Sequence, residues 1–339
     1  MPCGSACIKA AHRAAVAALC ALLALEVCGC SIPSPESIRD TRIILTTGLK
    51  DGELFALEGY CCRTAELAVY MADLRDNYQN AFGDSIWDVD IDGIPISERL
   101  VETAFNRVVM IKTMQIMADH MNIDLTAEEE ARCLSQARTY IDELSTDDRL
   151  GLLGITDDDI ILMMKQYARA YRVYEYCISD VNPEVSDDAA RRITVQRIVT
   201  PDISQARQAL RLLKNGSDFE ELMQEYNGEG IEGTLSFGKN ETEKAVEDVT
   251  FSLTQGEISD IVETAEGYCI YRCITTFNRE ETDANKLRII ENRRRQAFAE
   301  TYSEFAKGYP PVVNEALLDV TALPQVREGI GARFFELCR

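Results

Sequence analysis

Gly233-Thr-Leu-Ser-Phe-Gly-Lys239, Phe251-Ser-Leu253, Gly256-Glu-Ile-Ser259 and Glu263-Thr-Ala-Glu-Gly267-Tyr-Cys-Ile-Tyr-Arg-Cys-Ile-Thr275 are the segments that decide the fold of this 339-residue chain. The last of them alternates apolar and polar residues and is rich in β-branched and aromatic side chains, which predicts a strand over 267–275. Its natural partner is Arg192–Val199. Alternation puts Ile193, Val195, Arg197 and Val199 on one face of the first strand, and Cys269, Tyr271 and Cys273 on one face of the second. Arg197 is thus a cation among apolar neighbours and calls for a carboxylate partner or a wet groove. Cys269 and Cys273, roughly 13 Å apart on an extended strand, cannot bridge each other.

Between these strands the pattern predicts a helix over 203–214 stopped by Asn215-Gly216, and a second helix capped by Ser217-x-x-Glu220. A Gly-rich loop and a short helix near 243–250 complete the segment. Upstream, Asn182-Pro-Glu-Val-Ser186 breaks a long helical section. In that section Leu67, Met71, Leu74, Tyr78 and Phe82, and again Leu100, Ala104, Val108, Ile111 and Met114, recur at helical spacing. Thr126-x-x-Glu129 and Thr156-x-x-Asp159 have capping-box form and open helices over about 127–144 and 157–179. Met110, Met114, Met117, Met121, Met163 and Met164 are read first as core and second as an adaptable surface for apolar clients. Arg42–Gly48 and Glu53–Leu57 read as two strands around Asp51-Gly52. Asp88-Val-Asp-Ile-Asp-Gly93 begins like a calcium loop, but Arg99 stands where the bidentate Glu belongs, so it reads as an acidic turn before a helix near Ser97. Downstream, 280–307 is a charged helix with Leu287, Ile290, Phe298, Tyr302 and Phe305, and the tail from Tyr309 is short and mixed.

The N-terminus carries Lys9 and Arg13 ahead of an uncharged run from Ala14 to Leu25, which ends in Val27-Cys-Gly-Cys-Ser31. Twelve helical residues reach only about 18 Å of a hydrocarbon core of about 30 Å, so the run is a signal-peptide core. The ending resembles a bacterial lipobox, in which the Cys after Gly, here Cys30, is lipidated and becomes the mature N-terminus. Ordinary secretion with a nearby cleavage is the alternative. Ile32–Ser37 reads as a tether.

The chain carries 57 acidic and 35 basic residues, a net charge of −22, which excludes a polyanionic partner such as nucleic acid. Its two histidines leave little room for Ser-His-Asp, Cys-His or multi-His metal chemistry. No cofactor and no metal is called for, and the oligomeric state is not legible. Seven of twelve cysteines fall after Cys30, without CxxC spacing, and read mostly as small buried hydrophobes.

Over about 190–277, Ile198-Val199, Asp218-Phe-Glu-Glu-Leu222 and the segments quoted at the outset, in that order, resemble the parvulin family of peptidyl-prolyl cis-trans isomerases. The surrounding helices and strand pair resemble the chaperone module of SurA/PrsA-type extracytoplasmic foldases. The resemblance implies an α+β fold: a mostly helical SurA-like module carrying an inserted parvulin-like α/β domain, with a small antiparallel sheet flanked by helices. It divides the chain into a lipoprotein signal peptide at 1–29, a tether at 30–41, a helical chaperone module with a short strand pair at 42–185, the parvulin-like domain at 186–277, and a C-terminal helix and tail at 278–339 packing on the N-terminal module.

The resemblance also implies two histidines on adjacent central strands and an apolar pocket for the proline ring. Here those histidine positions hold Arg197 and Cys269, so no catalytic residue is assigned. Thr242 and Val246 stand at the family's Met and Phe positions. Leu235, Phe251 and Thr264 are retained, and with Phe237 they complete the candidate groove. The loop Asn227–Glu232 offers no Asp or Cys that can be placed. The expected function is a lipid-anchored extracytoplasmic folding factor that binds unfolded or translocating polypeptides, with isomerase activity weak or lost. A working isomerase and a non-chaperone structural or binding lipoprotein are the alternatives.

Overall fold

The computed structural model describes residues 48–319 and 322–338. The leader, the cut before Cys30, the tether and all but the last residue of the expected strand at 42–48 lie outside them. Within them, Val181–Arg294 forms one compact unit and the remaining residues form another.

In the second of these, Glu53–Leu57 (β1) buries Leu54 and Phe55 and pairs antiparallel with Tyr60–Arg63 (β2), a strand the periodicity did not reveal. Glu58 and Gly59 both adopt positive φ between them, the geometry a two-residue hairpin turn demands. Thr64–Phe82 (α1) follows directly, and a 3-10 turn over Asp84–Asp88 leads to the small hairpin Asp90–Ile91 (β3) and Ile94–Pro95 (β4). The Asp88–Gly93 motif is thus the end of the 3-10 turn, a short strand and the tip of its hairpin. Ile96–Met121 (α2) ends on Asn122 in the left-handed region, one of the few non-glycine residues that tolerates it. Ala127–Glu143 (α3) and Asp157–Cys177 (α5) start on the capping boxes of Thr126 and Thr156. Between them Thr146–Gly151 (α4) opens on a further box, Ser145 with Asp148.

The helices pack α1 on α2, α2 on α5 and α5 on α3 around one apolar core. Met110, Met114, Met117, Met163 and Met164 are buried in it, so these methionines are core and not client surface. Buried charges on α1 are each neutralised: Glu66 by Lys112 at 2.7 Å, Asp73 by Arg107 at 3.5 Å and Asp76 by Arg75 at 2.7 Å. An unpaired charge at such sites would cost several kcal/mol.

The other unit holds Asp187–Ala190 (α6), Arg192–Thr200 (β5), Ile203–Lys214 (α7), Phe219–Tyr226 (α8), Thr234–Gly238 (β6), Lys244–Thr250 (α9), Val262–Thr264 (β7) and Gly267–Thr275 (β8). The strands form an antiparallel sheet in the order β6-β5-β8-β7. Gly233–Lys239, which the sequence pattern left without an element, contains β6, and one local expectation is corrected. The cap of α8 is Asp218, not Ser217, because the Asp218 carboxylate accepts from the amides of both Glu220 (2.8 Å) and Glu221 (3.0 Å).

Arg279–Ala306 (α10) continues the chain, and the tail is more ordered than its composition suggests. Val312–Val313 (β9) adds to β1, Glu315–Asp319 (α11) follows, and Ile330–Leu337 (α12) is a buried helix. Phe334 is fully buried against Tyr140 and Phe335, and the Tyr140 hydroxyl donates to the Ile330 carbonyl at 3.1 Å. Gly331 lies so close to α1 that a Cβ there would sit 2.1 Å from the Asp73 nitrogen. No helix among the described residues is long and apolar enough to cross a membrane.

Candidate functional site

The sheet has two covered faces, and alternation assigns them. Ile198 and Ile270 point to α7 and α8, against Ala209, Leu213, Phe219 and Leu222. Ile193, Val195, Val199, Cys269, Tyr271 and Cys273 point the opposite way and build a second cluster with Phe237, Val246, Leu253 and Val262. Arg197 shares that second face. In the β5–β8 register Val199 faces Cys269, Arg197 faces Tyr271 and Val195 faces Cys273. The two strand positions singled out in the sequence are therefore brought onto one surface.

Arg197 is held from both rims. Its Nε donates to the Glu232 carbonyl at 2.9 Å, and its Nη1 bonds the Glu266 carboxylate in the β7–β8 turn. The guanidinium side is 12% exposed and Glu266 52%, so the pair lies at the edge of the covered face. Asn227, just after α8, acts as a side-chain extension of the ladder: it accepts from the Val199 amide at 2.8 Å and donates to the Arg197 carbonyl at 3.1 Å. This fixes the strand, and hence Arg197, against the 227–233 loop.

Cys269 has no exposed surface, and its Sγ lies 3.4 Å from the Thr264 hydroxyl. That hydroxyl donates to the Gly267 carbonyl at 3.0 Å and accepts from the Glu266 amide at 3.2 Å, which orders the turn carrying Glu266. Burial pushes the Tyr271 phenol up, Cys269 beside it adds to the rise, and Arg197 opposes it, so the hydroxyl stays protonated. A guanidinium and a protonated phenol both donate hydrogen bonds, and neither serves as a base.

The apolar side of the candidate groove is partly assembled. Leu235, Phe237, Val246 and Phe251 all join the cluster that contains Cys269. The Phe237 and Phe251 rings lie 6.2 Å apart, and the Arg191 guanidinium covers Phe251 at 4.9 Å. Val246 is buried, while Leu235 and Phe251 keep partial access to solvent. Thr264 adjoins through Cys269. Thr242 lies half-buried in the turn before α9, outside the apolar cluster. Three contributors escaped the sequence reading: Asn227, Glu266 and Tyr271. Only Tyr271 left a signal, because alternation had already placed it on the face of Cys269.

Residues 180–282 match the family model of the PPIC-type PPIase domain. A curated relative, foldase protein PrsA 3 of Bacillus cereus, is 25% identical over 199 residues, a match that spans 57% of this chain and 68% of that protein. Among solved structures, peptidylprolyl isomerase PrsA from Bacillus cereus is similar at 20% identity, covering 71% of this chain and 91% of that one with a TM-score of 0.38. NmPin, the parvulin of Nitrosopumilus maritimus, is similar at 28% identity over 24% of this chain and 95% of its own, with a TM-score of 0.23.

Proposed function

We propose that this chain, whose residues 180–282 are a PPIC-type parvulin domain and which is similar to PrsA foldases, is a lipid-anchored extracytoplasmic folding factor. In this reading it binds unfolded or translocating polypeptides, and turns over X-Pro bonds weakly or not at all. The observation that carries it is the sheet face itself: half-buried Leu235 and Phe251 over buried Phe237 and Val246, beside a polar cluster with no histidine, whose carboxylate, Glu266, is paired with Arg197. X-Pro isomerisation faces a barrier near 20 kcal/mol set by amide resonance, and lowering it needs polar groups matched to the twisted amide. Arg197 is already committed to Glu232 and Glu266, and Cys269 is sealed beneath the surface. Binding an extended apolar segment requires neither histidine.

Anchoring rests on the leader: acyl chains on Cys30 would hold the body at the outer membrane face, and its acidity disfavours docking on anionic headgroups. Near-stoichiometric protein should suppress aggregation of an unfolded secreted protein, and Leu235→Asp with Phe251→Asp should weaken that effect. No suppression by the intact protein would favour a lipoprotein without clients. Radiolabelled fatty acid should enter the wild type and not Cys30→Ser.

One observation favours a second reading, an isomerase with an altered cluster: Tyr271, protonated and directly across from Arg197, is a buried hydrogen-bond donor on the face where the histidines are missing.

A further inference from the structure

Asp88-Val-Asp-Ile-Asp-Gly-Ile-Pro-Ile96 forms a hairpin with a two-residue turn, Asp92 and Gly93, both at positive φ. Ile91 and Ile94 are paired across the strands, and Val89 is two residues from Ile91, so all three share one face of the ribbon. That face is not covered by the described residues: Val89 is 43% exposed, Ile91 48% and Ile94 39%. Alternation puts Asp90 on the opposite face, with Asp92 at the tip and Asp88 at the end of the preceding 3-10 turn. An alternating strand normally turns its apolar side to a core, and here the apolar side meets water.

The charges indicate what covers it. Asp84, Asp88, Asp90 and Asp92 lie on this connection. Gln79 bonds Asp84, the Gly93 amide bonds Asp90 at 3.3 Å, and Arg99 stands 3.8 Å from Asp92, which remains 90% exposed. The tip carboxylate is thus paired with one half-buried arginine, on a connection that carries four carboxylates. A second copy would bring another four carboxylates onto the same ribbon in a chain already at −22, so like charges oppose self-pairing. An extended segment carrying apolar residues and Lys or Arg satisfies both the exposed face and its acidic surround.

We propose that the β3–β4 hairpin is a docking surface for extended, apolar, cationic polypeptide segments. This deepens the client-binding reading and rests on it. The segment adds along an edge of the ribbon as a further strand, its alternate apolar side chains beside Val89, Ile91 and Ile94 on one face and its cations beside Asp90 on the other face and Asp92 at the tip. The hairpin has its own reporter. Trp87, the only tryptophan of the chain, is two residues from Val89 and half-buried against the helical core.

The test titrates the intact protein with two labelled, tryptophan-free twelve-residue peptides that alternate Leu with Lys or Leu with Glu. Peptide anisotropy and Trp87 emission are followed together. The Lys peptide should bind with a saturable change in Trp87 emission, at least tenfold more tightly than the Glu peptide and more weakly at higher salt. Ile91→Asp with Ile94→Asp should cost at least tenfold in affinity, whereas Leu150→Asp, at an exposed leucine elsewhere, should cost nothing. Anisotropy change with a silent Trp87 would place the peptide elsewhere and overturn the docking surface while leaving client binding intact. No anisotropy change with either peptide would overturn both. Equal affinity for the two peptides, or a dimer in sedimentation that Ile91→Asp abolishes, would also overturn the proposal, the latter by making the face an interface between copies.

Discussion

Replacing Lys112 with Met removes one half of a fully buried ion pair, and the cost can be worked out from its surroundings. Lys112 has no exposed surface, and its Nζ lies 2.7 Å from Glu66 and donates to the Gln166 side chain at 2.6 Å. Without it the Glu66 carboxylate is stranded in the core, and breaking such a pair from one side costs about 3–5 kcal/mol. Glu66 is already pushed up by burial, with Lys112 the main group opposing the rise, Asp159 adding to it and a hydrogen bond with Cys62 opposing it. Losing Lys112 therefore raises it further. The sign follows: a carboxyl whose folded value is raised keeps its full contribution below the unfolded value and loses it as pH rises through the folded one, at about 1.4 kcal/mol per pH unit for one proton. The deficit of Lys112→Met should be largest at pH 7 and smaller at pH 5, by up to about 3 kcal/mol. Urea unfolding followed by Trp87 emission reads this helical unit directly. Lys112→Met with Glu66→Leu should recover most of the loss, since removing both charges is often neutral. An equal deficit at both pH values, or a double variant no better than the single, would refute the reasoning.

Three further expectations concern the frame. Phe334→Ala empties a fully buried ring site between Tyr140 and Phe335 and should cost about 3–5 kcal/mol in the same unfolding assay; a loss below about 1 kcal/mol would mean α12 is not part of the core. Gly267→Ala places a Cβ 2.5 Å from the Thr200 carbonyl at φ +124, so the parvulin-like unit should lose about 1–3 kcal/mol, read by amide exchange of β5 and β8, and unchanged exchange would contradict it. Burial pushes Asp148 up, but hydrogen bonds from Arg327 and Ser145 outweigh it and hold the carboxyl well below its usual range. Its contribution is therefore present above about pH 4 and lost as pH falls below that. Asp148→Asn should lower stability at pH 7 by about 1–2 kcal/mol, with Arg327 largely exposed, and should flatten the acid limb; an unchanged limb would assign acid sensitivity elsewhere.

What was legible in the sequence was whatever repeats with a period. The helices at 127–143 and 157–177 follow from capping boxes and apolar stripes, and the opposed faces of β5 and β8 follow from alternation alone. Short pieces held by long-range pairing were not legible. β6 has five residues and pairs with β5, far behind it in the chain, while β2, though joined to β1 by a tight turn, has only four residues, too few for alternation to show. α12 is buried by α1 and α3, and eight residues cannot announce that by themselves. At the site, Arg197 demanded a carboxylate, but nothing local identified Glu266, 69 residues away. The alternating aspartates near Asp88 begin like a calcium loop because that motif and an amphipathic hairpin share the same period of two, and the acidic turn read there left the two short strands unseen.

The central claim is that the parvulin sheet face binds polypeptide without efficient isomerisation. A protease-coupled assay on Xaa-Pro peptides with the intact protein tests it most directly. The account predicts turnover at or barely above the uncatalysed background, unchanged by Arg197→Ala or Cys269→Ala. Turnover well above background that either substitution abolishes would contradict it.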